Sequence, residues 1–106
     1  MPGSIPIMPG SAIMTESQDA FNQALHAIAD PTRRKILAIL RKSSSSGLCA
    51  SEIEMKIGLS QPTISHHMAI LERAGLVDTK KEGLWRRYRR NEAALTAFTR
   101  KLRRTL

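Results

Sequence analysis

The segment Ser60-Gln61-Pro62-Thr63-Ile64-Ser65-His66-His67 gathers hydrogen-bonding side chains at the start of a helical pattern. Gln61 can pair with adenine through two hydrogen bonds, Thr63 and Ser65 can bond bases or phosphates, and His66 can donate to guanine or phosphate. The Thr63 methyl also suits that of thymine. If Ile64, Met68 and Leu71 form the inward stripe, then Gln61, Thr63, Ser65, His66, His67 and Arg73 hold N-terminal or outward positions. A major groove admits such a helix, and phosphate favours its positive end. Plainer roles compete with this chemistry. Ser60 is fully accounted for as a helix cap. His66 and His67 diverge by about 100° around a helix, which makes them a poor chelating pair.

A second group is cationic. Lys80, Lys81, Arg86 and Arg87 fall in a stretch with strand character, where they would touch the sugar-phosphate backbone or the minor groove. Such contacts position a protein more than they select a sequence. The chain carries a formal charge of +8, unevenly spread. Residues 1–75 hold seven basic and six acidic side chains, whereas residues 76–106 hold ten and three. That asymmetry suits a polyanion, and a solvated basic face is the bland alternative. With aromatic residues at only 4%, a stacking surface for RNA or single strands is disfavoured. Trp85 and Tyr88 fit better as hairpin packing residues.

These groups need elements to hold them. From Thr15, the residues Phe21, Leu25 and Ile28 recur at helical spacing, and the helix should stop at Asp30-Pro31. Asp30 is placed to cap a second helix, with Pro31 in its first position and Ile36, Leu37 and Leu40 on its apolar face. A serine loop at 43–47 follows. Ser51 to Glu54 match a capping box, and the brief helix it opens should close at Gly58. The helix from Ser60 to Gly75 completes a helix-turn-helix. Leu76–Thr79 and Trp85–Arg89 read as two strands around a Lys81-Glu82-Gly83 turn. Arg86 and Tyr88 share strand parity, so which of them faces the core stays open. Asn91 can cap a last helix with Leu95, Phe98 and Leu102 on one side.

The expected fold is therefore mainly α with a small β-hairpin: a winged helix-turn-helix of about five helices and a two-stranded wing. Residues 1–14 read as a disordered tail lacking the basic start of a signal peptide, with Met14 a candidate initiator, and residues 15–106 as one domain. No apolar run approaches the roughly 18–20 residues that span a bilayer. Cys49 stands alone, so no disulfide within the chain is possible.

Three segments in order, Ala29-Asp30-Pro31-Thr32-Arg33-Arg34-Lys35-Ile36-Leu37, Leu59 to His67, and Leu71-Glu72-Arg73-Ala74-Gly75-Leu76-Val77, resemble the ArsR/SmtB family of bacterial transcriptional repressors. The resemblance runs from about Ser17 to Leu95. It implies a cytoplasmic, nucleoid-associated winged-helix homodimer, with Phe21, Leu25, Ile28, Leu95, Phe98 and Leu102 on the dimerising first and last helices. It also implies a recognition helix from Ser60 on an inverted-repeat operator in double-stranded DNA.

The chain departs from that family's metal sensors. Where many members carry Cys-x-Cys, this one has Leu48-Cys49-Ala50-Ser51-Glu52, and after Asn91 it offers no His, Asp or Cys. The expectation is a regulator with no cofactor and no metal site, since tight sites need several converging ligands. Leu84 stands after the wing glycine where the family usually has Arg. Two alternatives remain: a redox or metal response through Cys49, with His26 as an intersubunit co-ligand, and a winged-helix protein-interaction module. No nucleophile-base pair, phosphate loop or acid pair suggests an enzyme.

Overall fold

The computed structural model describes residues 16–43 and 45–106. The expected tail and Met14 lie outside them. In chain order the elements are α1 (Glu16–Ile28), α2 (Pro31–Lys42), β1 (Leu48–Cys49), α3 (Ala50–Ile57), α4 (Gln61–Arg73), β2 (Val77–Glu82), β3 (Trp85–Arg90) and α5 (Glu92–Thr105).

Local signals set most of these boundaries. Asp30 takes an extended backbone, and its carboxylate accepts from the Arg33 amide at 3.0 Å, with Pro31 opening α2. This satisfies one of the amides a helix start leaves unpaired. Asn91 caps α5 in the same way, accepting from the Ala94 amide at 3.0 Å. Gly58 ends α3 at φ 83°, a left-handed position where side chains are disfavoured, and its amide donates to the Glu54 carbonyl.

The start of α3 differs from the expectation. Cys49, not Ser51, is its N-cap residue, and Glu52 rather than Glu54 reaches back to accept from the Cys49 amide at 2.9 Å. That bond holds the Glu52 carboxyl below its ordinary pKa. The box lies two residues early because Leu48 and Cys49 form a strand that pins the chain where the helix begins.

This short strand makes the sheet three-stranded, in the order β1-β3-β2, all antiparallel. Leu48 pairs with Tyr88 and Cys49 with Arg87. The wing strands also run longer than expected, with Glu82 paired to Trp85, so the turn is Gly83-Leu84. Gly83 has φ 61°, whereas Leu84 does not enter the positive-φ region. Glycine at the first of two central positions matches the type II′ hairpin, whose twist suits the flanking strands.

Beneath the sheet, Ile36, Ile53, Ile64, Met68, Leu71, Leu76 and Val77 are almost wholly buried and join α2, α3, α4 and β2 in one core. Each such side chain contributes about 1.5–3 kcal/mol relative to exposure. Tyr88 closes the core under β3, which resolves the parity question: Tyr88 faces inward at the hairpin base, and Arg86 lies on the same face nearer the tip. Phe21, Leu25, Ile28, Leu95 and Leu102 are half-buried against this core, and Phe98 is buried. The Phe21 and Phe98 rings lie 5.5 Å apart, bringing α1 and α5 together.

Candidate nucleic-acid interface

The inward stripe of α4 is Ile64, Met68 and Leu71, as the spacing required. Anchoring it turns Gln61, Ser65, His66 and Arg73 outward, all exposed. Gln61 Nε2 donates to Ser65 Oγ at 3.0 Å, so these two already share one rim of the helix. Ser60 precedes the helix in extended conformation, and its hydroxyl lies 3.0 Å from that of Thr63. Thr63 is half-buried.

His67 belongs to a different environment. It turns toward α2, where Arg33 Nη1 lies 3.1 Å from its Nδ1 and Asp30 Oδ2 lies 3.9 Å away. Burial lowers the His67 pKa most; Asp30 opposes the shift, and Arg33 adds to it. Arg33 is the one buried charged side chain among the described residues, only 7% exposed. Its Nε donates to the Ala27 carbonyl at 2.7 Å and its Nη2 to that of His26 at 3.2 Å. Three bonds from one planar fork thus join the end of α1, the start of α2 and the middle of α4. Sequence reasoning passed over Arg33 as a functional side chain; its only signal was its place in the Asp30-Pro31-Thr32-Arg33 segment.

In the wing, residues paired across strands share a face. One face carries Val77, Thr79, Lys81, Arg86, Tyr88 and Arg90. Its base packs on the body, and Thr79 Oγ1 donates to Glu72 Oε2 of α4 at 2.6 Å. Toward the tip of this α4-side face stand Lys81 and Arg86, directly opposite each other and both exposed. Like charges so placed oppose hairpin formation. Asp78 and Arg89 form a complementary pair on the other face, so the hairpin does not lack matched charges.

Lys80 is exposed on that second face, opposite Arg87. Arg87 is engaged within the fold. Its Nε lies 3.2 Å from Glu82 Oε1, and its Nη1 donates to the Gly47 carbonyl at 3.1 Å, with Glu52 Oε1 at 3.9 Å. The structure therefore brings Gln61, Ser65, His66 and Arg73 onto one open helix face, with Lys81 and Arg86 on the α4 side of the wing. Thr63 bonds the Ser60 hydroxyl much as Gln61 bonds Ser65, while His67 and Arg87 are drawn into contacts with other parts of the fold.

Cys49 Sγ lies 3.2 Å from Ser51 Oγ, beside Glu52, Glu82, Trp85 and Arg87. His26 lines a different cleft, with His66 and Arg73. Among the described residues no group of three or more His, Cys, Asp or Glu side chains converges as a metal site, and no helix is long and apolar enough to cross a membrane.

Two helices crossing on a glycine-capped turn, followed by a cationic hairpin that packs on the second of them, define a winged helix-turn-helix domain. Residues 30–79 match the sequence profile of the bacterial regulatory protein, arsR family. An uncharacterized HTH-type transcriptional regulator of Methanocaldococcus jannaschii is 40% identical over 73 residues, 69% of this chain and 80% of that protein. The transcriptional repressor SdpR of Bacillus subtilis is 36% identical over 74 residues, 70% of this chain and 79% of its own length. The chain belongs to the ArsR family of transcriptional regulators, and these relatives are regulators, not enzymes. In fold it also resembles the homodimeric winged helix-turn-helix DNA-binding domain of a possible ArsR-family regulator from Mycobacterium bovis. There the TM-score is 0.69 at 24% identity, over 87% of this chain and 84% of that one.

Proposed function

We propose that this regulator binds double-stranded DNA as a homodimer on an inverted repeat and represses transcription there. The observation that carries this reading is the exposed Gln61-Ser65-His66-Arg73 face of α4 beside an unrelieved Lys81-Arg86 pair on the wing. A helix rim of hydrogen-bonding side chains matches the major-groove edge pattern, and the cations match phosphates on either side. Gln61, Ser65 and His66 read bases. Ser60, Thr63 and His67 set the position of α4, while Arg73, Lys80, Lys81 and Arg86 shape the cationic surroundings and Arg87 holds the wing through Glu82 and the Gly47 carbonyl.

Self-association through α1 and α5 duplicates this surface. Phe21, Leu25, Ile28, Leu95 and Leu102 supply its apolar area, with Phe98 buried beneath them, and a cleft of about 250 Å³ between the two helices leaves room for a partner side chain. The repressor role is proposed by analogy with the repressor SdpR, and the homodimer is consistent with the shared fold of the homodimeric Mycobacterium bovis domain.

The test is selection of bound duplexes from a random pool by the purified protein, with sedimentation of the protein and of its complex. A palindromic consensus and two protomers per duplex are expected. Recovery of no sequence preference, or of one protomer per site, overturns the reading.

A further inference from the structure

The apex of the wing is apolar where the rest of the hairpin is charged. Leu84 is 99% exposed and Trp85 next to it 64% exposed. Nothing in the fold asks for leucine here. A type II′ turn needs glycine first and accepts polar residues second, and Gly83 already meets that need. Below the apex, Lys80, Lys81 and Arg86 are exposed on both faces of the hairpin. Glu82, the one nearby acid, faces Arg87 at 3.2 Å, so its charge is answered within the wing. The result is an unsupported aliphatic side chain carried forward between cations.

We propose that Leu84 is a minor-groove wedge, pressed by the cationic hairpin against the groove floor and partly inserted at a deformable base step. The proposal rests on the duplex-binding reading above. Lys81 and Arg86 would hold the flanking phosphates, and the leucine would meet sugar and base edges that offer no charge. Apolar wedges of this kind unstack base steps and favour flexible ones, which gives sequence preference without hydrogen bonds. The guanine 2-amino group protrudes from the groove floor, so it obstructs such a contact.

The test compares binding of the full chain to poly(dI-dC) and poly(dG-dC) duplexes, with wild type, Leu84→Ala and Leu84→Ser. Inosine differs from guanine only by lacking the 2-amino group, so major-groove edges are matched. Wild type should prefer poly(dI-dC) by about fivefold or more, since it presents the open floor. Both variants should bring that ratio close to one while keeping the salt dependence, because the cations are untouched. Leu84 packs on nothing, so the variants should keep the wild-type far-ultraviolet circular dichroism.

Salt-dependent binding with no wild-type preference overturns the wedge alone, as does a preference that survives both substitutions. Failure to bind either duplex overturns the duplex-binding reading with it. Leu84-dependent binding to phosphatidylglycerol-phosphatidylcholine vesicles, with the duplex ratio unchanged by substitution, assigns the apex to lipid and also overturns the proposal.

Discussion

Arg33 Nη1 and His67 Nδ1 lie 3.1 Å apart, and because a guanidinium can only donate, this histidine nitrogen must carry no proton. The contact couples a buried cation to the inner side of α4, whose outer side presents Gln61 and Ser65. The seating of the candidate recognition helix thus depends on one arginine and on the neutral state of one imidazole.

Replacing Arg33 by Ala should destabilise the domain by about 3 kcal/mol, because the Ala27 and His26 carbonyls lose their charged donor. Arg33→Lys should recover only a minor part, since an ammonium cannot span three acceptors in one plane. Urea denaturation midpoints would measure both effects. A lysine variant as stable as wild type would contradict the three-way clamp.

Stability should fall on mild acidification. Burial depresses the His67 pKa below its ordinary 6.5 in the folded chain, so the unfolded chain takes up the proton first. The contribution is complete above that ordinary value and is lost as pH falls through the lower folded one. Asp30 adds a second loss further down, below 3.8, because the Arg33 amide lowers its pKa. Denaturation at stepped pH should show the upper loss in wild type and not in His67→Gln, whose amide oxygen can still accept from Arg33.

The Lys81 and Arg86 pair separates function from folding. Replacing both by Ala should leave the fold intact or raise its stability by up to about 1 kcal/mol, as cross-strand repulsion is relieved. Affinity for every duplex should fall, and the salt slope should flatten by about two. Calorimetry and titrations at several salt concentrations would check the two halves independently.

Gln61→Ala and His66→Ala should behave otherwise. Each should cost about 1–3 kcal/mol on a selected duplex and relax preference at particular positions, with little change on random DNA. Equal losses on selected and random duplexes would place these side chains on phosphates instead.

Gly47 should tolerate no substitution. It has φ 80°, and a methyl group there would run into the Tyr88 carbonyl of β3. Gly47→Ala should cost well over about 1 kcal/mol, the scale of left-handed strain by itself. It should also free Arg87 from the Gly47 carbonyl. Amide exchange at Leu48 and Cys49 would report the loss of β1.

Features governed by near neighbours in sequence were legible in it. The caps at Asp30 and Asn91, the glycine stop at 58 and the stripe Ile64-Met68-Leu71 each depend on residues within a turn or two. Features depending on distant partners were not. The strand at Leu48–Cys49 exists only because β3, some forty residues later, lies beside it, and that pairing moved the capping box to Cys49 and Glu52. Arg87 looked free for phosphate because its acid and carbonyl partners sit on α3, on β2 and in the loop before β1. Arg33 looked like another surface cation, since no periodicity reveals that α1 ends beside it with the Ala27 and His26 carbonyls within reach of its guanidinium.

The two-residue strand β1 has an effect out of proportion to its size. It hydrogen-bonds to the inner strand of the hairpin and runs straight into the first helix of the helix-turn-helix. A wing fastened only at its own ends could swing like an arm. This one is fastened to the helix-turn-helix, so the offset between α4 and the hairpin is built in. On the duplex-binding reading, adding or removing a single base pair between their two footprints should therefore harm recognition more than changing the flanking bases themselves.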